Sequence, residues 1–204
     1  GQIIKLASNE NPLGPSPKAL AGMRAMLERS HFYPDGGGWR LRGAIAERLG
    51  LERQNIILGN GSNEIIEFIG HAFLRPGDEV VTARHAFAVY SLMAQLFGAT
   101  TVEVDDPGFV HDLPAMLRAI TPKTRQVFIA NPNNPTGYYL EKKDVIGAIE
   151  EIKDAIIILD EAYIDFGGES CVDLIDQYDN LIVMRTLSKA FGLAALRVGC
   201  MIAN

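Results

Sequence analysis

The sequence predicts an α/β fold, a mostly parallel mixed sheet with helices on both faces. Two observations carry that expectation. Short strands, most of them apolar on both faces, alternate with helix-length segments between Ile56 and Ile202, and strands apolar on both faces belong in a sheet covered on both sides. Polar, turn-forming clusters follow four of these strands, and open α/β sheets bind ligands beyond the carboxyl ends of their strands.

The elements follow in order. Residues 6–16 read as loop, because Asn9, Asn11, Pro12, Gly14 and Pro15 all favour turns. Ser16 followed by Pro17 is an N-cap with proline at the first helical position, so a helix should run over 17–28. The stretch 33–38 breaks the chain. A second helix over 39–49 puts Leu41, Ile45 and Leu49 on one face and stops at Gly50.

Next come a short buried strand at 56–58 and a helix from a Ser62 cap to about Leu74, with a turn at 75–78. Strands at 79–83, 100–104 and 126–130 alternate with helices at 87–97, 113–120 and 141–153. Three further strands are expected at 156–159, 181–186 and 198–202.

Composition limits the function classes. The chain is 48% hydrophobic and 22% charged, as ordinary globular proteins are. A net charge of -6 argues against a general nucleic-acid footprint. No apolar run approaches the roughly 20 residues that span a bilayer. Residues 1–5 lack the charged and apolar regions of a secretory signal. Cys171 and Cys200, and His31, His71, His85 and His111, have no metal-ligand or redox spacing. The expectation is a cytoplasmic protein with free thiols, no metal, no membrane and no nucleic-acid partner.

Four strand ends carry candidate chemistry. After the first comes Gly59-Asn60-Gly61-Ser62-Asn63-Glu64. Its glycines would let backbone N–H groups approach an anion at a helix N-terminus. An ordinary glycine turn is the plainer alternative. No Gly-Lys-Ser/Thr follows, so it is not a P-loop, and Glu64 stands where the dinucleotide fingerprint needs glycine or alanine. After the strand at 126–130 comes Asn131-Pro132-Asn133-Asn134-Pro135-Thr136-Gly137, a loop rigid enough to aim an amide.

Asp160 closes a fully apolar strand, so its carboxylate needs a cationic or hydrogen-bonding partner, be it a cofactor ring or a neighbouring Arg or Lys. Lys189 follows a buried strand, and a desolvated amine becomes a better nucleophile toward an aldehyde. Arg197 lies in an apolar run, where a buried guanidinium would suit phosphate or a structural carboxylate.

Taken together these segments resemble the fold-type I aminotransferases that depend on pyridoxal 5'-phosphate (PLP). The matched signatures are the Gly59 to Glu64 turn, the Asn131 to Gly137 loop, Asp160-Glu161-Ala162-Tyr163, and Thr186-Leu187-Ser188-Lys189-Ala190-Phe191-Gly192 with Arg197-Val198-Gly199. The opening Asn9-Glu10-Asn11-Pro12-Leu13-Gly14-Pro15-Ser16 and Tyr33-Pro34-Asp35 look most like the histidinol-phosphate aminotransferase branch.

The resemblance implies the large domain of an aspartate aminotransferase-like fold over 38–204, led by a loop and helix segment over 1–37. It implies that Lys189 holds PLP through a Schiff base and then moves protons. Asp160 would pair with the ring nitrogen, Tyr163 and Asn134 would contact the phenolic oxygen, and Phe87 would stack on the ring from the start of its helix. Gly61, Ser62, Asn63, Thr186, Ser188 and Arg197 would hold the phosphate. Tyr33 would reach a neighbour's phosphate across a homodimer interface, and Asn11 would touch substrate.

Family members also run past this length, with a smaller C-terminal domain, so the sequence looks incomplete at both ends. The implied reaction converts histidinol phosphate and 2-oxoglutarate to imidazole-acetol phosphate and glutamate, with a small-molecule amino donor and keto acceptor. Rival readings are an aromatic aminotransferase, a phosphothreonine decarboxylase, a non-catalytic PLP-binding fragment, and a nucleotide-binding domain built on Gly59 to Glu64. The last leaves Lys189, Asp160 and Asn134 without a shared task.

Overall fold

The computed structural model describes residues 4–5 and 7–204. Gly1, Gln2, Ile3 and Leu6, part of the leading segment read above, lie outside the described residues. The strands are β1 Ile56–Asn60, β2 Glu79–Ala83, β3 Thr100–Val104, β4 Thr124–Ala130, β5 Ile156–Asp160, β6 Leu181–Thr186 and β7 Val198–Ile202. The helices are α1 Pro17–Leu27, α2 Trp39–Leu49, α3 Ser62–Phe73, α4 Val89–Leu96, α5 Leu113–Arg118 and α6 Lys142–Glu151.

The described residues form a seven-stranded sheet in the order β1-β7-β6-β5-β4-β2-β3. Pairing is parallel from β3 through β2, β4 and β5 to β6. Strand β7 runs antiparallel to both β6 and β1. The expected mostly parallel, mixed sheet is therefore present. Among the described residues no helix is long and apolar enough to cross a membrane.

Side-chain alternation divides the core into two layers. On one face Ile157 and Leu159 of β5, with Val127 and Ile129 of β4, pack under α2, α5 and α6. On the other, Ile158 and Phe128 meet Ile65, Ile66 and Ile69 of α3 and Tyr90 and Ala94 of α4. Those three isoleucines are at most 1% exposed. Burial of each contributes about 1.5–3 kcal/mol.

Three local expectations are corrected. The strand read as buried at 56–58 extends to Asn60, and Ile57 is 49% exposed. It is an edge strand, lengthened because Gly59 and Asn60 pair with Gly199 and Val198. Ser62 does not cap α3. Gly61 occupies the cap position at φ 81°, and no side chain caps this end. Phe87 precedes α4, which begins at Val89, and lies in the connection from β2.

The caps read at Ser16 and Asp112 are present: Ser16 Oγ accepts from the Ala19 N–H at 3.2 Å, and Asp112 Oδ1 accepts from the Ala115 N–H at 2.9 Å. The parallel register aligns Ala130 with Asp160 and Asp160 with Met184. The carboxyl ends of β4, β5 and β6 thus form one rim.

Candidate active site

A cavity of about 380 Å³ opens at that rim, within the size range of small-molecule sites. Ser62, Asn63, Phe87, Asn134, Asp160, Tyr163, Thr186, Ser188, Lys189 and Arg197 all line it. Five separate segments of chain therefore converge on one space.

Asp160 sits at the floor. It is 6% exposed. Its Oδ2 accepts from the Tyr90 hydroxyl at 2.6 Å, and its Oδ1 accepts from the Ala162 N–H at 3.0 Å. Burial pushes its carboxyl above the ordinary carboxylate range, while Tyr90, the Ala162 N–H and the charge of Lys189 pull the other way. A desolvated carboxylate of this kind is relieved by a cation.

Lys189 stands in the turn after β6. Its Nζ donates to the Ser8 carbonyl at 3.1 Å and lies 3.5 Å from the Asn9 carbonyl. It stands 5.6 Å from the centre of the Tyr163 ring. The N-terminal loop thus folds back over this turn. The fit is close enough that a Cβ on Gly192 would come within 2.5 Å of the Gly14 carbonyl oxygen.

One end of the cavity is an anion cradle. At Gly61 the positive φ suits glycine, and an added Cβ would collide with the Arg197 guanidinium. A Cβ on Gly199 would meet the Gly61 carbonyl carbon at 2.5 Å and the Ser62 nitrogen at 2.6 Å. The uncapped N-terminus of α3 lies beside this guanidinium, and both favour negative charge.

Arg197 Nη1 donates to the Ala194 carbonyl at 3.1 Å and lies 3.5 Å from Ser188 Oγ, with no carboxylate partner among the described residues. Thr186 Oγ1 is 3.0 Å from that same Ser188 oxygen. The sequence reading had Arg197 buried, but it is exposed. It holds a left-handed conformation at φ 52° after a short 3-10 turn, which sets it on the rim.

The remaining expected residues fall as follows. Asn134 and Tyr163 are joined by Asn9, whose Nδ2 donates to Asn134 Oδ1 at 3.2 Å and to the Tyr163 hydroxyl at 2.9 Å. Phe87 meets the Tyr90 ring edge-on, centroids 5.7 Å apart. Asn11 lies apart from the cavity lining, and its amide donates to the Lys189 and Ala190 carbonyls at 3.2 and 3.0 Å. Tyr33 is fully exposed, in a separate recess with Met26, Phe32 and Leu41.

Glu64, the residue that departs from the dinucleotide fingerprint, accepts from the Asn60 N–H at 2.6 Å and so braces the turn. Cys171 and Cys200 are free and buried, and burial pushes their thiols up to about 12 and about 11. They are inert at neutral pH.

Sequence reasoning missed Tyr90, Asn9 and Glu10. The one available signal for Tyr90 was its place in the first turn of a mostly apolar helix, where a buried tyrosine hydroxyl needs a partner. Glu10 lines the cavity; it and Asn9 were read only as part of the opening loop and of the signature it carries, without a role of their own.

An anion cradle, a carboxylate seeking a cation and a primary amine share this cavity. That set fits a ligand carrying a phosphate, a protonatable ring and a carbonyl group. Fold and site together define an α/β core that gathers its polar groups at the carboxyl ends of parallel strands.

The family model for aminotransferase class I and II matches residues 1–204, and the chain belongs to that family. It is 50% identical over 202 residues to histidinol-phosphate aminotransferase 2 of Pseudomonas fluorescens, covering 97% of this chain and 55% of the relative. The crystal structure of histidinol-phosphate aminotransferase from Sinorhizobium meliloti in complex with pyridoxal-5'-phosphate superposes with a TM-score of 0.92 at 27% identity, over 96% of this chain and 55% of that one. A variant of aspartate aminotransferase from Thermus thermophilus gives 0.88 at 25% identity, over 97% of this chain and 59% of that one. The chain thus spans a little over half the length of these relatives.

Proposed function

We propose that the protein of which this chain is part is a PLP-dependent aminotransferase. The proposed reaction exchanges histidinol phosphate and 2-oxoglutarate for imidazole-acetol phosphate and glutamate. The observation that carries the reading is the sharing of one cavity by Lys189, Asp160 and the Gly61–Arg197 cradle. The 50% identity to a relative named for this activity supports the choice of substrate.

When bound, PLP supplies a carbonyl that takes up an amino group and a ring that withdraws electrons. The residues of this chain do the rest. The first-turn N–H groups of Ser62 and Asn63, the Arg197 guanidinium and the hydroxyls of Thr186 and Ser188 would hold the phosphate. Asp160, in its ionised form, would hold the proton on the ring nitrogen. Asn134 and Tyr163 would donate to the phenolic oxygen, and Phe87 would cover the ring face. Lys189 Nζ would hold the cofactor through its carbonyl carbon and, as a free amine, would serve as the base and then the acid that moves the amino donor's alpha proton.

Residues 38–204 act as the cofactor-binding large domain behind a leading segment, 1–37. Exposed Tyr33, with Met26, Phe32 and Leu41 beside it, suits contact with a second copy, so the working form is a homodimer. The setting is the cytoplasm.

The test uses the full-length protein. Mixing with PLP should give a visible absorbance band and, after borohydride, a covalent adduct on Lys189. The substitution Lys189→Ala should abolish that adduct, and its persistence at the same site would refute the assignment. Half-reactions with histidinol phosphate, phenylalanine and phosphothreonine then separate the substrate readings, since carbon dioxide release would mark a decarboxylase.

A further inference from the structure

The Tyr90 hydroxyl and the Asp160 carboxylate form a buried pair in the wall of the cavity, and the proposed reaction leaves Tyr90 without a role. The Tyr90 side chain is 1% exposed and lies flat on Phe128, centroids 4.3 Å apart at 14°. Its ring edge meets Phe87. Its hydroxyl donates to Asp160 Oδ2 at 2.6 Å. One side chain therefore touches both the group expected to hold the ring nitrogen and the group expected to cover the ring face.

We infer that Tyr90 is a positioning residue: its hydroxyl fixes the rotamer and charge of Asp160, and its ring fixes Phe87. The inference rests on the cofactor reading above. Its physical basis is the asymmetry of hydrogen bonding to a carboxylate. A phenol donates to the ionised form and favours it, against a burial that disfavours it. Two donors, Tyr90 on Oδ2 and the Ala162 N–H on Oδ1, together leave one lone-pair direction on each oxygen for a ligand.

The titratable groups facing this pair are Lys189 from the turn after β6, and Tyr163 from the turn after β5. Burial and the neighbouring carboxylate hold the Tyr90 phenol well above its ordinary range, so it stays a donor at every working pH. Loss of the hydroxyl would raise the proton affinity of Asp160. The shared proton would then move from the ring nitrogen toward the carboxylate, and the ring would lose electron-withdrawing power.

The experiment compares full-length parent and Tyr90→Phe, which keeps the stacked ring and removes the oxygen alone. Cofactor-free protein labelled with carbon-13 at aspartate carboxyls, with Asp160→Asn to assign the signal, gives the titration of Asp160 directly. The expected result is a titration moved to higher pH in Tyr90→Phe. With PLP bound, kcat should fall about tenfold, the usual scale for a hydrogen bond to a charged group, while the donor KM changes less than about twofold.

An unchanged Asp160 titration, in a variant that still forms the borohydride adduct, overturns the inference and leaves the cofactor reading intact. An equal loss in kcat and thermal stability without a shift in titration marks a packing role only and also overturns it. Absence of the adduct in the parent protein overturns the cofactor reading itself, and this inference with it.

Discussion

Asn9 and Tyr163 are 154 residues apart in sequence, and the Asn9 Nδ2 donates to the Tyr163 hydroxyl oxygen at 2.9 Å. The same amide donates to Asn134 Oδ1 at 3.2 Å. The consequence is directional. Asn9 occupies the acceptor side of both partners, so the Tyr163 O–H and the Asn134 Nδ2 remain free to donate. Both are thereby pre-aimed at a single acceptor, and on the proposed reading that acceptor is the phenolic oxygen of PLP.

The first prediction follows. Asn9→Ala should loosen both donors, leaving the phenolic oxygen less stabilised as an anion. Its proton affinity, and that of the nitrogen it shares a proton with, should rise. In the full-length protein the pH at which the bound cofactor's visible absorbance changes should move up, with the Lys189 adduct retained. Superimposable titrations of parent and variant would show that Asn9 aims nothing.

A second prediction concerns the strand ends that carry the site. Glu161 follows Asp160 on β5, Arg185 precedes Thr186 on β6, and Arg185 Nε donates to Glu161 Oε2 at 3.0 Å. The Glu161 side chain is 1% exposed and that of Arg185 16%. Burial raises the Glu161 carboxyl, and Arg185, the Cys171 N–H and Ser170 oppose that rise. Arg185→Met would strand a buried charge, at a cost of about 3–5 kcal/mol. The double substitution Glu161→Gln with Arg185→Met should recover much of that loss. Urea denaturation of all three proteins measures it, and equal stabilities would contradict the pairing.

Much of this arrangement is legible in the sequence because it is local. The apolar run before Asp160 puts its carboxylate on the rim, and the Gly59 to Ser62 turn announces a close backbone approach. Other features depend on partners that sequence patterns do not encode. The hydroxyl of Tyr90 finds Asp160 across 70 residues, from a helix that reads as ordinary amphipathic packing. An apolar strand pattern also has no direction. Strand β7 runs antiparallel to β6 because the connection 187–197 holds only a short 3-10 turn, Ala194–Leu196, and no crossover helix. The same geometry brings Arg197 to the surface, where apolar neighbours in sequence suggested burial.

The third prediction is a pH dependence. In the folded, cofactor-free protein the Asp160 pKa stands above its usual value, chiefly through burial. A carboxyl shifted this way binds its proton more tightly folded than unfolded, so it costs nothing at low pH and destabilises as pH rises through the raised pKa. Stability of the parent relative to Asp160→Asn should therefore fall as pH rises from the ordinary aspartate range through the raised pKa. Thermal unfolding without cofactor, run across that interval, reads the difference. A gap between the two proteins that stays constant with pH would exclude the effect. Adding PLP should reverse the parent's deficit, because a cationic ring nitrogen supplies the partner that burial withholds.

The fourth prediction separates two glycines with opposite surroundings. Gly199 faces backbone, since an added Cβ would meet the Gly61 carbonyl carbon at 2.5 Å and the Ser62 nitrogen at 2.6 Å. Backbone cannot swing aside as the tip of a side chain can, so Gly199→Ala must push the start of α3 away from β7. That displacement moves the N–H groups proposed to hold the phosphate, and overpacking of this kind costs about 1–3 kcal/mol. Gly147, inside α6, has nothing within 4 Å of an added Cβ. Gly147→Ala should therefore stabilise the helix by about 0.5–1 kcal/mol. Fluorescence titration with PLP should show at least a tenfold weaker dissociation constant for Gly199→Ala and no change for Gly147→Ala. Because Lys189 is untouched, the borohydride adduct should still form in Gly199→Ala at saturating cofactor. Unweakened cofactor binding in that variant would mean that the turn at Gly61 does not form the phosphate seat.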